Sequence, residues 1–317
     1  MPAEAFVQGR PATDKGILVE MDGAIVIDKP SGLTSHDVVA SLRRALAVPR
    51  VGHAGTLDPL ATGVLPVLLG RATRLAQFIS GADKTYEAEV SLAFATDTDD
   101  STGRPITAAY DQHLSSIEVE RGLESLRGSH LQHPPAYSAK KVGGRRAYAL
   151  ARESRSAPLK PVTVSVRRLD LLAWNDPVAT LHVVCSAGCY VRALARDLGR
   201  TLGSGGHLTR LRRLASGQFR LDDAVALDVV LRDPQGTLAH VITPSAVVGH
   251  LPMVSITGPS LDRALHGAEI HADALVGTAA DGPDATFVRI VDSEGALVAV
   301  GRRGEPAGSL HPVVVLM

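Results

Sequence analysis

The eighteen residues Gly52-His53-Ala54-Gly55-Thr56-Leu57-Asp58-Pro59-Leu60-Ala61-Thr62-Gly63-Val64-Leu65-Pro66-Val67-Leu68-Leu69 constrain this chain more than any other stretch. They set one carboxylate, Asp58, in a turn between glycine-rich flanks and follow it with apolar residues. Asp-Pro is a turn signal, because proline fixes its own φ and biases the residue before it away from helix. The segment therefore predicts Asp58 on a rigid loop, not on a helix face. Gly52, Gly55 and Gly63 would let another backbone or a flat ligand come close. The same residues also fit a plain Asx-turn, in which the aspartate only bonds its own backbone.

A chain of 317 residues accommodates one large domain and a small one. Its 45% hydrophobic and 21% charged residues are the balance of a globular protein. No stretch approaches the roughly 20 uninterrupted apolar residues of a membrane span, so no membrane association is expected. Glu4, Arg10 and Asp14 fall where a signal peptide would need an apolar run, and a cytoplasmic location is expected. Cys185 and Cys189, in C-x3-C spacing, do not make a disulfide framework, and a zinc site would need remote histidines. They read as small strand residues, and no metal is expected.

The formal net charge is zero, but its distribution is uneven. Between Tyr137 and Arg168 nine Lys/Arg face Glu153 alone; between Arg192 and Arg213 six Arg face Asp197 alone. Beyond Val230 five Arg meet nine Asp/Glu. Two basic segments suit a phosphate backbone, although a charge run by itself also describes a solvated face.

Residues 1 to 22 lack periodicity and read as a loose leader. Ala24 to Asp28 predicts a buried strand that ends at Lys29-Pro30. Thr34 or Ser35 caps a helix to about Leu46, with Val38, Val39, Leu42 and Leu46 on one face. A helix is expected from about Ala72 to Ser80, and Tyr86 to Ala95 alternates as a half-buried strand. Thr96 to Gly103 is an acidic, small-residue turn, read as a plain loop in preference to a metal site. Ile117 to Leu126 predicts a helix. His133 to Lys160 reads as an insertion, with a Gly143-Gly144 hinge, a short helix near Tyr148-Ala149-Leu150 and a basic tail. Strands are expected at Val162 to Leu172 and Thr180 to Ser186. A helix follows over Arg192 to Leu202, entered from a Tyr190-Val191-Arg192 strand end, and another over Asp222 to Leu231. After residue 245 short strand-like runs (Thr286 to Val291, Leu297 to Val300, Val313 to Leu316) predict a small β-rich domain over 246–317. The class is α+β.

GHAGTLDPLATGVLPVLLG closely resembles the catalytic motif of the TruB family of pseudouridine synthases, which isomerise a uridine in the T-loop of transfer RNA. Four further segments resemble that family's motifs, in family order. Ile27 to His36 is similar to its Lys-Pro motif and Asp83 to Ala88 to its tyrosine motif. His133 to Val142 is similar to the opening of its RNA-binding insertion, and Cys185 to Gly199 to its arginine motif. The resemblance implies a mixed, largely antiparallel sheet flanked by helices over 23–245, with an RNA-clamping insertion at 133–160. It implies a PUA-like, RNA-binding domain after it. The resemblance weakens beyond about residue 217, and the acidic balance there is unusual for a domain that touches acceptor-stem phosphates.

Residue by residue, the resemblance makes Asp58 the catalytic carboxylate. A buried carboxylate without a partner tends to take up a proton, and Arg192 aligns with the arginine that pairs with it. Tyr86 aligns with the tyrosine that stacks on the flipped base, with its hydroxyl placed to assist proton transfer at C5. His53 aligns with the histidine that enters the disrupted loop. Lys29 supports the floor of the site, and Leu211 forms an apolar wall. Lys140, Lys141, Arg145 and Arg146 are expected to bind the RNA backbone. The expected partner is the tRNA T-stem-loop, with no obligate protein partner, and the reaction calls for no cofactor. Two other readings remain: an RNA-binding or tRNA-folding module with a vestigial catalytic loop, and a hydrolase using an aspartyl intermediate. The second lacks a phosphate-binding Gly-rich Lys-Ser/Thr loop and a paired aspartate near Asp58.

Overall fold

Gly23–Lys29, the first strand (β1), alternates its side chains between two cores. Ile25 and Ile27 enter the main core, while Ala24 and Val26 enter a second one on the other side of the sheet. This arrangement comes from a computed structural model that describes residues 21–137, 141–142, 145–146, 160–271, 286–304 and 309–316.

The strands that follow are β2 (Val51–His53), β3 (Thr62–Leu69), β4 (Lys84–Ser91) and β5 (Gly128–Gln132). Next come β6 (Lys141–Val142), β7 (Arg145–Arg146), β8 (Val162–Asn175) and β9 (Val178–Cys185). The strands of this part of the chain end with β10 (His207–Ser216), β11 (Phe219–Arg220) and β12 (Val225–Ala226). One sheet runs in the order β12-β1-β3-β10-β4-β9-β8-β5, with β2 beside β3 and β11 beside β10. Only β12 against β1 and β3 against β10 are parallel; the other pairs in this sheet are antiparallel. The fold is therefore α+β around a mixed, largely antiparallel sheet.

Helices cover the Ile25 face. Ser35–Ala45 starts at a capping box between Thr34 and Asp37 and buries Val38, Val39 and Leu42. Ser116–Glu124 starts at a second capping box, Ser115 with Glu118, and buries Val119 and Leu123. Val191–Leu202 buries Val191, Leu194, Ala195 and Leu198 and stops at Gly203 in the left-handed region. On the other face, a four-stranded sheet of β13 (Met253–Ser255), β14 (Phe287–Val291), β15 (Leu297–Arg303) and β16 (Leu310–Val315) forms the C-terminal β domain. Val291, Leu297, Val300, Val314 and Leu316 pack there against Val64, Leu68, Leu75 and Ile79.

Several expectations need correction. The Ala72–Ser80 segment opens as a 3-10 turn, Gly70–Leu75, and is α-helical only over Ala76–Ile79. Asp222–Leu231 is not one helix: Leu221–Asp223 is a 3-10 turn, Val225–Ala226 pairs with Ile27–Asp28, and helix covers Leu227–Arg232. Pairing with β1 overrides local helix preference there. The strand from Tyr86 ends at Ser91, not Ala95. Tyr190 is the N-cap of a helix, not a strand end, because β9 stops at Cys185 and the chain turns through Gly188. Within 133–160, β6 and β7 form an antiparallel pair with Val142 opposite Arg145. Lys140, the Gly143-Gly144 hinge, the short helix near Tyr148 and most of the leader lie outside the described residues.

Candidate active site

The turn that carries Asp58 is held by the segment around Lys29. The Ser35 hydroxyl accepts from the Leu57 amide (2.9 Å) and donates to the Leu57 carbonyl (3.2 Å). The Gly32 amide donates to the Pro59 carbonyl at 2.8 Å, and the turn closes on itself from the Ala61 amide to the Asp58 carbonyl at 3.1 Å. Lys29 is fully buried, and its Nζ donates to the carbonyls of Pro30 (2.8 Å), Leu33 (2.7 Å) and Pro59 (3.4 Å). Burial pushes its ammonium down to about 8, while the Asp58 charge works the other way. Lys29 thus ties two turns together beneath the carboxylate.

Arg192 reaches Asp58 from the first turn of Val191–Leu202. Its Nε donates to Oδ2 at 2.7 Å and its Nη2 to Oδ1 at 2.9 Å, the fork geometry that a lysine cannot reproduce. The arginine side chain is 5% exposed and that of Asp58 33%, so the carboxylate has an open side and its partner does not. A cation in the first turn of a helix opposes the helix dipole, and Asp58 offsets that cost. Gln132, fully buried on β5, fixes the helix start by bonding both the amide and the carbonyl of Tyr190, at 2.9 and 3.2 Å.

The acidic turn after β4 is more than a loop. Arg192 Nη1 donates to the Thr98 carbonyl at 3.1 Å and lies 3.6 Å from Asp100 Oδ2. One helical turn on, Arg196 binds Asp99 and Asp197, each at 2.9 Å. Both arginines also hold the segment that opens the insertion, Arg192 through the Tyr137 carbonyl (3.0 Å) and Arg196 through the His133 carbonyl (2.9 Å). Asp99 and Asp100 escaped sequence reading. The available signal was two arginines four apart, which share a helix face, together with a compact acidic turn.

Tyr86 lies on β4, buried, between Val183 of β9 and Arg213 of β10. Burial pushes its phenol up to about 12, and the Arg213 guanidinium beside it works in the opposite direction. His53, at the end of β2, meets the His36 ring edge-on with centroids 6.2 Å apart. Leu211 is buried on β10 opposite Ala88. Gly63 allows β10 to reach β3: at φ +98°, a Cβ there would lie 2.2 Å from the Arg213 carbonyl oxygen. The fold therefore brings Asp58 and Arg192 into contact, braces their turn with Lys29 through the Pro59 carbonyl, and sets Tyr86 and Arg213 side by side on β4 and β10. Lys141, Arg145 and Arg146 lie on the β6–β7 pair.

Residues 43–191 match the N-terminal domain of TruB family pseudouridylate synthases, and residues 192–246 match the C-terminal domain of tRNA pseudouridylate synthase B. The tRNA pseudouridine synthase B of Solibacter usitatus is 43% identical over 302 residues, 93% of this chain and 100% of that protein. The chain belongs to the TruB family. Another TruB relative, tRNA pseudouridine synthase B of Symbiobacterium thermophilum, is 46% identical over 78% of this chain and 83% of its own length. That of Mycobacterium tuberculosis H37Rv is 40% identical over 92% of this chain and 98% of its own. Among solved structures, the archaeal box H/ACA sRNP Nop10–Cbf5 complex superposes with a TM-score of 0.71 at 25% identity, covering 95% of this chain and 88% of that one. A chain of an H/ACA RNP bound to a substrate RNA containing 2'-deoxyuridine superposes at 0.72 with 24% identity, covering 93% and 85%, and shares the fold.

Proposed function

We propose that this chain isomerises the uridine at position 55, in the T-loop of tRNA, to pseudouridine, and does so without a guide RNA or a protein partner. The observation that carries this reading is the two-point contact of Arg192 with a partly exposed Asp58 on a braced turn. The names of the TruB relatives support the substrate class.

The reaction breaks the C1′–N1 bond, turns the uracil and joins C5 to C1′; C5 loses a proton and N1 gains one. Nothing else enters or leaves, so the chemistry requires neither redox cofactor nor metal. The target base is stacked in its loop and must be flipped out, at a cost of roughly a few kcal/mol. Asp58, on the open side of its ion pair, acts as nucleophile or base at the sugar–base junction. Arg192 keeps that carboxylate charged and aimed. Tyr86 stacks on the flipped uracil, and its hydroxyl lies on the route by which the proton leaves C5. Leu211 walls the pocket, Lys29 holds its floor, and His53 fills the space the base vacates. The insertion, through Lys140, Lys141, Arg145 and Arg146, clamps the phosphate backbone. Residues 246–317 serve as a PUA-like RNA-binding domain, and the protein works in the cytoplasm.

The test uses the purified protein alone with unmodified tRNA transcripts, followed by nucleotide-resolution mapping of pseudouridine. One new pseudouridine at position 55 is expected. Tight tRNA binding with no pseudouridine at any site would instead identify an RNA-folding module.

A further inference from the structure

Arg213 heads the fully buried side chains by size, at 1% exposure. It stands on β10 directly opposite Tyr86 of β4. Its Nε donates to the Val64 carbonyl at 2.6 Å and its Nη2 to the Gly55 carbonyl at 3.1 Å. Those two carbonyls flank the Asp58 turn, one three residues before Asp58 and the other six after it, on β3. The guanidinium also lies beside the Tyr86 hydroxyl, which among the described residues is the one acidic group that favours its charge. Burying a guanidinium without a carboxylate is costly. The neighbouring cations add to that cost. Lys84, also buried, bonds the carbonyls of Ser80 and Ala82, and both it and Lys29 feel the Arg213 charge. A hydrophobic residue of similar size would pack without this penalty, so the charge itself calls for an explanation.

We propose that Arg213 is a positioning residue for the isomerisation: it fixes the Tyr86 hydroxyl against the Asp58 turn and stabilises negative charge that grows on the phenol oxygen. This inference rests on the role proposed above for Tyr86. From the other elements around it, Tyr86 is faced by Cys185 on β9 and Cys189 in the turn beyond, neither of which brings a positive charge to the phenol. Arg213 is the group that opposes the burial. Its two carbonyl contacts give the same side chain a hold on the Asp58 turn, so base stacking and carboxylate placement share one anchor.

The test replaces Tyr86 with 3,5-difluorotyrosine, whose phenol titrates near neutrality, and follows its ionisation by fluorine NMR in the full chain. In Arg213→Gln the midpoint should rise by about one pH unit or more, because a neutral side chain removes the stabilising charge. Arg213→Lys, which keeps a charge without the fork, should move it less. With the natural tyrosine in place, single-turnover rate on tRNA should fall about 100-fold in Arg213→Gln, the scale of one proton-transfer contribution, while tRNA affinity changes less than about threefold. Arg213→Lys should recover part of that rate. An unmoved midpoint in a folded variant would overturn the proposal, and so would a rate loss matched by an equal loss of affinity. If Arg213→Gln does not fold, the Lys variant decides by the same two readouts. Full turnover in Tyr86→Phe would refute the role of Tyr86 in the reaction, whereas the titration separately reports whether Arg213 governs that phenol.

Discussion

Arg192 grips Asp58 through two parallel N–H···O contacts, at 2.7 and 2.9 Å, and spends the same Nη2 on the carbonyl of Tyr137. One guanidinium thus orients the carboxylate and anchors the first residues of the insertion. Anything that displaces that segment alters the surroundings of the arginine that aims Asp58.

Arg192→Lys should therefore cost more in rate than in binding. The two-point fork becomes a point charge, and a single-turnover loss of about 100-fold is expected, as for removal of one preorganised donor. Arg192→Met leaves Asp58 and Asp100 without their cation and should also lower unfolding free energy by roughly 2–4 kcal/mol. Denaturant melts and rapid-quench kinetics on tRNA measure both effects. A strong fall in affinity with an unchanged rate would make Arg192 a phosphate ligand.

Lys29 gives a prediction with a fixed sign. Its folded-state value near 8 lies below the ordinary 10.5. Between those limits the unfolded chain binds more protons than the folded one, so the contribution of Lys29 to stability rises with pH from about 8 to 10.5 and is lost as pH falls back through 8. Lys84 has a similar depressed value and makes a parallel contribution in the same window. The Lys29→Met variant should lack only its own part. Its stability deficit relative to the natural chain should grow by about 1–3 kcal/mol from pH 7.5 to pH 10, measured by urea unfolding at each pH. A deficit that does not change with pH would show that Lys29 stays fully charged in the fold.

The insertion is testable through salt. Replacing Lys140, Lys141, Arg145 and Arg146 with glutamine should weaken tRNA binding. It should also flatten the slope of log affinity against log salt by about 0.7–0.9 for each phosphate that is no longer neutralised. Fluorescence titrations between low and moderate salt read this directly. An unchanged slope would assign the phosphate binding to other basic residues, with Arg200 and Arg210 the first to test.

Much of the local structure around Asp58 was legible because it is set within short stretches of chain, whereas the pairing of Asp58 with Arg192, 134 residues apart, was implied by the family resemblance. Asp58-Pro59 announces a turn, Thr34 with Asp37 announces a helix start, and the alternation from Tyr86 announces a strand; each depends on neighbours within a few residues. What escaped depends on distant partners. Asp99 and Asp100 look like a solvated turn until Val191–Leu202 brings Arg192 and Arg196 over them. Arg213 reads as one more cation in a basic segment, and only the pairing of β10 with β4 buries it beside Tyr86. Val225–Ala226 has the texture of a helix until β1 offers it an open edge. In each case the deciding energy is a pairing or burial between segments far apart in sequence.

In the proposed reaction Asp58 performs the chemistry while the basic surfaces perform the binding. Single-turnover pseudouridine formation on T-loop RNA by purified Asp58→Asn, with RNA affinity measured on the same preparation, separates the two roles. An isosteric amide keeps the turn but removes the charge, so pseudouridine formation should vanish while affinity stays within about tenfold of the natural chain. Pseudouridine formed by this variant at a rate within about tenfold of the natural chain would show that Asp58 is not the catalytic carboxylate.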